Sequence, residues 1–379
     1  MVNAAGIDPG TGSMDLFGFD DKNDRISLDL AIPRAEVTKN PRIVLEALRN
    51  SGRDFDAIVG PSGYGLPLVK AADASSSQIK AATFITIADT KRRLNIVGLR
   101  ELMFAMRDSG LPIWFPPAVI HLPTVPEYRK INRIDMGTAD KVFSGVYGIR
   151  DQSERLGVGF DKTSFILIEA GFGYLAALAV DGGKIVDGVG GTVGGLGYMS
   201  MGGIDGELAY CLANVGEFGK MLLFSGGAAS IAGIDVKKTT FEEFIALTKE
   251  SEEAKLAYAA FMESILKDAL LMLSSVPKPK EIILSGRFTR SKEFVDDASA
   301  FLGSHLRGLG VKAKIRTLKR RGQNVKEAAV GAATMASGLA GGKYEKLVEN
   351  MRLRESAGGV FSHLNLDEET KKKIEETFS

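Results

Sequence analysis

Twice in this chain an apolar run ends in an acid and then a glycine-rich turn. The first is Ala4-Ala5-Gly6-Ile7-Asp8-Pro9-Gly10-Thr11-Gly12-Ser13; the second is Phe165-Ile166-Leu167-Ile168-Glu169-Ala170-Gly171-Phe172-Gly173. Each is followed by two further apolar runs separated by a polar turn, at 16–19 and 26–32 in the first half and at 175–180 and 184–189 in the second. A strand-turn-strand-turn-strand unit at the head of each half predicts two copies of one folding core.

The stretches between these units alternate helix-like and strand-like patterns. Helical spacing of apolar residues is expected at 41–50, 97–109, 138–149, 241–247, 253–273 and 326–338. Short apolar strands are expected at 55–60, 111–116 and 281–284. Alternation of this kind predicts an α/β fold. At roughly 150 residues per domain, 379 residues suggest two. We place them at 1–160 and 161–340, with 341–379 as a charged helical extension packing back on the body.

Composition narrows the function classes. Hydrophobic residues at 45% and charged residues at 25% describe an ordinary folded chain. A formal charge of +1 gives no broad attraction to nucleic acid or a membrane surface, and Lys319-Arg320-Arg321 is short enough to be a solvated loop. Cys211 is the only cysteine, which excludes an intrachain disulfide and any cysteine-rich metal site within one chain. Residues 165–180 contain Glu169 and two glycines and are too short to span a bilayer comfortably. With no secretory signal visible, the expectation is a soluble cytoplasmic protein.

Chemistry is concentrated at the turns. Asp8 offers a carboxylate, Gly10 and Gly12 permit tight backbone, and Thr11 and Ser13 add hydroxyls beside bare amides that suit a phosphate. Glu169, Gly171 and Gly173 repeat that arrangement. Each turn alone reads equally as a structural hairpin. Ser285-Gly286-Arg287 follows an apolar strand, so glycine there would let backbone pass near a flat base or ribose, with Arg287 stacking above it. Gly331, in an Ala-rich helix, reads either as relief beside that base or as close packing. Ser62-Gly63-Tyr64-Gly65 suits substrate contact or a plain turn. The glycine-rich run 188–206 reads as a mobile lid or as a linker. His121 reads as a structural histidine.

The order of these features resembles the acetate and sugar kinase, Hsc70 and actin superfamily across most of the chain. More narrowly, Gly6-Ile7-Asp8-Pro9-Gly10-Thr11-Gly12-Ser13, Gly60-Pro61-Ser62-Gly63-Tyr64-Gly65, Arg133-Ile134-Asp135-Met136-Gly137-Thr138-Ala139-Asp140-Lys141 and Glu169-Ala170-Gly171 resemble an archaeal family described as predicted butyrate kinases. The resemblance implies two duplicated ribonuclease H-like (actin-like ATPase) domains with an interdomain nucleotide cleft, and ATP with Mg2+ as cofactors. Residues 6–13 and 169–173 would be the phosphate motifs, with Asp8 and Glu169 orienting the metal's waters, and 285–287 the adenosine motif. Glu169 departs from the usual Asp, and Arg287 stands where a second glycine is common.

For a small-molecule acceptor the resemblance points to Asp135 and Asp140, with Asp135 as first choice. As general base an acid there would serve a hydroxyl acceptor. A carboxylate acceptor is already nucleophilic and needs cations, for which Arg129 and Arg133 stand nearby in sequence. The implied activity is an ATP-dependent kinase, with a short-chain acid as the narrower acceptor class. The alternative is a nucleotide switch of the Hsc70 or actin type. The radical-dehydratase activators of this superfamily need two cysteines per chain, which Cys211 alone does not supply. Related kinases commonly form homodimers, but no surface in the sequence selects one.

Overall fold

The computed structural model describes residues 1–91 and 98–378. Val97, where the sequence pattern starts a helix, and Ser379 lie outside them; the described helix runs Gly98–Arg107. The chain divides into two compact units. Unit 1 comprises 1–163, 181–187 and 319–379, and unit 2 comprises 164–180 and 188–318. The sequence grouped 319–340 with the second half, whereas in the structure these residues cluster with the first.

The strands are β1 (Asn3–Pro9), β2 (Ser13–Asp20), β3 (Arg25–Pro33), β4 (Ala57–Val59), β5 (Val69–Lys70), β6 (Ile113–Phe115), β7 (Ser164–Ala170), β8 (Leu175–Asp181), β9 (Lys184–Val189), β10 (Glu281–Ser285) and β11 (Lys314–Thr317). The first sheet has the order β3-β2-β1-β4-β6-β5. Its first three strands are an antiparallel meander, while β4 and β6 are parallel to β1. Side chains alternate across a strand, so β1 sends Ala5 and Ile7 to one face and Ala4, Gly6 and Asp8 to the other. Ala5 and Ile7 join a core with Leu16, Val44, Leu48, Ile58, Leu102 and Phe115.

The opposite face of β1 receives the Glu327–Leu339 helix, all thirteen residues of which are buried. The contact is backbone to backbone: a methyl at Gly6 would lie 2.1 Å from the Ala333 nitrogen. Gly331 serves the same helix on its other side, where a methyl would lie 1.9 Å from the Phe143 carbonyl oxygen in the Ala139–Leu156 helix. An Ala-rich, glycine-notched helix is thus what lets this layer lie close to both neighbours. The C-terminal residues Val360, Phe361 and Phe378 form a small cluster with Tyr64, Phe84 and Ile134.

The second sheet has the order β11-β10-β7-β8-β9, and its strands β7, β10 and β11 lie in unit 2. All seven residues of β7 are buried, and β10 runs parallel to it with Ser285 paired to Glu169. The Glu252–Leu273 helix covers this sheet; Phe261 on it joins Phe241, Phe288 and Phe294 in an aromatic cluster whose Phe241 and Phe288 rings stack at 3.5 Å. Residues 188–206 are packed rather than open: Gly195 N–H donates to Asp268 at 3.0 Å and Leu196 N–H to Ser264 at 3.1 Å. Among the described residues, no helix is long and apolar enough to cross a membrane.

Candidate functional site

The β1–β2 hairpin sets the centre of unit 1. Its antiparallel register pairs Asp8 with Asp15, so two buried carboxylates share one face. Lys326, the residue before the Glu327–Leu339 helix, settles between them. Its ammonium bonds Asp8 and lies 3.2 Å from Asp15 Oδ2, while its own N–H donates to that Oδ2 at 2.9 Å. The Ser13 hydroxyl donates to Asp15 Oδ1 at 2.6 Å. A methyl on Gly10 would come within 2.6 Å of Lys326 Nζ, so the bare backbone of the turn is what admits the ammonium. Thr11 and Gly12 are exposed beside it.

The Asp140 side chain opens the Ala139–Leu156 helix and is bonded by Lys141 Nζ and the Thr138 hydroxyl. Burial pushes the Asp8 carboxyl up to about 6; the charges of Asp140 and Asp15 add to the rise and Lys326 opposes it. Burial would raise Asp140 too, but Lys141, Thr138 and Lys326 outweigh it and hold that carboxyl below the usual range. Burial alone would lower the Lys326 ammonium, yet Asp8 and Asp15 hold it above its ordinary value. Three acids, Asp8, Asp15 and Asp140, thus share two ammoniums, Lys326 and Lys141, a balance that leaves this face one negative charge in excess when all five are ionised.

The charge of Asp140 reaches Asp8. Asp135 sits in the turn before the helix, buried, accepting from Gly137 N–H at 3.1 Å. Arg133 is exposed. Arg129 donates to the Val186 carbonyl at 2.6 Å and lies 3.6 Å from Asp187, so its guanidinium is engaged with the 181–187 segment. The Ser62–Gly65 loop reaches the same helix start, because Ala139 N–H donates to the Gly63 carbonyl at 3.0 Å. Ser62 is buried on Pro116, and Tyr64 packs on Phe84. Gly331, read from sequence either as relief beside a base or as close packing, lies in the contact between two helices described above. His121 is buried, and burial pushes it down to about 4, which keeps the imidazole neutral.

Unit 2 carries its own arrangement. Glu169 closes β7 and is buried; the turn after it is tied by Gly171 N–H to the Tyr174 carbonyl at 3.1 Å. The Gly173 carbonyl accepts from the N–H groups of Met199 and Ser200. Gly286 has φ +93°, and a methyl there would lie 2.4 Å from the Ala170 carbonyl oxygen. Ser285 and Gly286 therefore lie against the end of β7 beside Glu169, and Arg287 is exposed next to them.

Oxygen donors of this kind suit magnesium. Among the described residues no group of three or more His, Cys, Asp or Glu is placed to hold a metal. A magnesium ion that keeps its waters and binds phosphates needs only one or two carboxylates, and Asp8 beside the exposed Thr11–Gly12 turn, on a face with excess negative charge, fits that demand. Sequence reasoning missed Lys326 and Asp15. Asp15 sits in an alternating strand like any polar residue, and Lys326 stands far along the chain with no local motif.

A family model described as protein of unknown function (DUF1464) matches residues 6–366. No curated protein matches the chain. Among solved structures, a propionate kinase from Francisella tularensis is 17% identical with a TM-score of 0.60, covering 88% of this chain and 98% of its own. An acetate kinase from Porphyromonas gingivalis is 15% identical with a TM-score of 0.57 and the same coverage. An acetate kinase from Entamoeba histolytica is 11% identical with a TM-score of 0.55, covering 81% and 87%. These likenesses establish the mixed α/β, two-sheet fold of the actin-like ATPase type.

Proposed function

This chain belongs to the DUF1464 family of proteins of unknown function, and we propose that it is an ATP-dependent kinase of a small molecule. The observation that carries the reading is the Asp8, Asp15 and Lys326 cluster at the Gly10 turn, on a fold shared with acetate and propionate kinases. Phosphoryl transfer asks a protein for positioning and charge neutralisation more than for covalent help. Asp8 would orient the waters of a magnesium ion, whose charge lowers the cost of negative charge developing on the transferred phosphoryl group. The amides and hydroxyls of Gly10, Thr11, Gly12 and Ser13 would face phosphate oxygens. In unit 2, Glu169 with Gly171 and Gly173 would form the second phosphate turn, and Ser285, Gly286 and Arg287 would take the adenosine.

The acceptor we infer is a short-chain carboxylate, butyrate-like in the narrower form of the reading. Its oxygen would bond to the γ-phosphorus as the bond to ADP breaks, giving an acyl phosphate. Such an acceptor needs no general base, which agrees with Asp140 being tied to Lys141 and held below the usual carboxylate range, where it is a weak proton acceptor. Ser62, Gly63, Tyr64 and Arg133 border the start of the Asp140 helix in sequence or structure and are the residues we assign to acceptor contact.

The test is steady-state ADP release from magnesium ATP, alone and with short-chain carboxylates, hydroxy acids and sugars, with Asp135→Ala and Asp140→Ala as controls. Stimulation by a carboxylate that is lost in Asp140→Ala supports the reading. Stimulation by sugars alone would replace the acceptor class. Slow turnover indifferent to every acceptor would replace the kinase with a nucleotide switch.

A further inference from the structure

Lys326 is not explained by helix packing. It is the residue before a fully buried helix, yet its side chain is 14% exposed and runs to a place where two carboxylates face each other. We propose that Lys326 is a tethered counter-cation: without nucleotide its ammonium is shared by Asp8 and Asp15, and when metal-bound nucleotide arrives it leaves Asp8 for the terminal phosphates. The proposal rests on the nucleotide reading above.

Three features of the chain make the exchange workable. First, the root of the side chain is fixed, because Lys326 N–H is held by Asp15 Oδ2 at 2.9 Å and Asp15 is in turn held by Ser13. The flexible four-carbon stem can then swing its ammonium without moving the backbone. Second, Nζ already lies over Gly10, in space a side chain there would fill, so the path from Asp8 to the turn is short. Third, Asp8 is the carboxylate a magnesium ion would share, and an ammonium and a metal cannot both be its near partner at full strength. Metal alone would have to expel Lys326 from Asp8 with no new anion to receive it beyond Asp15 and the charge of Asp140. Metal with nucleotide offers the ammonium phosphate oxygens in exchange.

A purely structural ion pair and a counter-cation differ in the sign of what its removal does to metal binding. The experiment measures Mn2+ alone by loss of the free-ion electron paramagnetic resonance signal, and ADP with Mn2+ by calorimetry. It compares wild type, Lys326→Met and Lys326→Arg. In Lys326→Met, Mn2+ alone is expected to bind about five-fold tighter and Mn2+-ADP about ten-fold weaker. Lys326→Arg keeps the charge and is expected to hold Mn2+ alone as weakly as wild type. Because Lys326→Met leaves two facing carboxylates unpaired, the double variant Lys326→Met, Asp15→Asn is measured beside it and should show the same opposite signs. Nucleotide affinity unchanged in both variants, or metal binding weakened in both, overturns the proposal while leaving the nucleotide reading standing. A wild-type protein that binds neither ADP nor ATP overturns both.

Discussion

Asp8 and Asp15 stand opposite each other across the β1–β2 hairpin, and Lys326 holds both from a point more than three hundred residues along the chain. Like charges directly opposite in a sheet repel, and buried ones more so. The hairpin and the Glu327–Leu339 helix are therefore joined by charge as well as by the Gly6 contact. Replacing Asp15 with Ala strips Lys326 of its backbone anchor and one of its two carboxylates. We expect a loss of about 3 kcal/mol in unfolding free energy, the scale of a broken buried pair. Urea denaturation at pH 7 measures it, and Asp15→Asn, which can still accept from the Lys326 N–H, should lose less.

Arg150 makes a second cross-chain tie within unit 1. It is 1% exposed, donates to Asp24 at 2.8 Å, Glu154 at 2.9 Å and Thr334 at 3.0 Å, and lies over the Tyr344 ring at 4.4 Å. Burial alone would raise Asp24, but Arg150, Lys343 and Arg321 outweigh it and hold the carboxyl below the usual range. A depressed folded pKa contributes stability that is complete above the unfolded value and disappears as pH falls through the folded one. The acid side of the stability profile should therefore steepen below about pH 4. In Arg150→Met that steepening should shrink, and the variant should lose about 3 kcal/mol at pH 7 because a buried guanidinium with two acid partners is removed, leaving Asp24 and Glu154 only the more exposed Arg321 and Lys343. Thermal unfolding from pH 3 to 7 reads both.

The meander, the parallel strands β4, β6, β7 and β10 and the helices expected at 138–149, 241–247, 253–273 and 326–338 were legible because each is written in local apolar spacing, whereas the Lys292–Gly308 helix and β11 were not expected. Phe241–Leu247 and Glu252–Leu273 show it well: their boundaries in the structure lie within a residue of the pattern. The acid turns at Asp8 and Glu169 were legible for the same reason, as both sit at the ends of apolar strands. What sequence hid depends on register and long-range approach. Asp15 became significant only when the hairpin register set it against Asp8. Lys326 became so only when the helix after it settled on β1. Gly331 and the glycines of 188–206 carry no local sign of whether a glycine admits a ligand or a neighbouring backbone, and here they admit backbone and side chains.

Gly286 is the glycine whose replacement should matter most to unit 2. Its φ of +93° disfavours any side chain, and a methyl would meet the Ala170 carbonyl oxygen at 2.4 Å, beside Glu169. Gly286→Ala is expected to cost about 3 kcal/mol from the combined backbone and steric penalty. The displaced strand end should also weaken ATP binding, whereas Gly308→Ala, where a methyl meets nothing within 4 Å, should leave both unchanged. Thermal midpoint and nucleotide titration on the two variants make the comparison.

Asp268 should give unit 2 a pH response of the opposite sense to Asp24. It is buried on the Glu252–Leu273 helix, accepts from Gly195 N–H through Oδ1, and has no hydrogen-bond partner at Oδ2. Burial pushes its carboxyl up to about 6, against the pull of the Gly195 bond. A folded pKa above the unfolded value of 3.8 means the folded protein holds the proton more tightly. Stability then falls as pH rises from about 4 to about 6 and levels off above that, a total of about 3 kcal/mol at 1.4 kcal/mol per unit. Asp268→Asn keeps the acceptor for Gly195 and carries no charge at any of these pH values. It should be more stable than wild type at pH 7.5 and lose most of that advantage by pH 4. Asp8, raised to about 6, slopes the same way in both proteins, so the difference between the two profiles isolates Asp268. Parallel profiles across that range would show that the carboxyl is not held protonated by its surroundings.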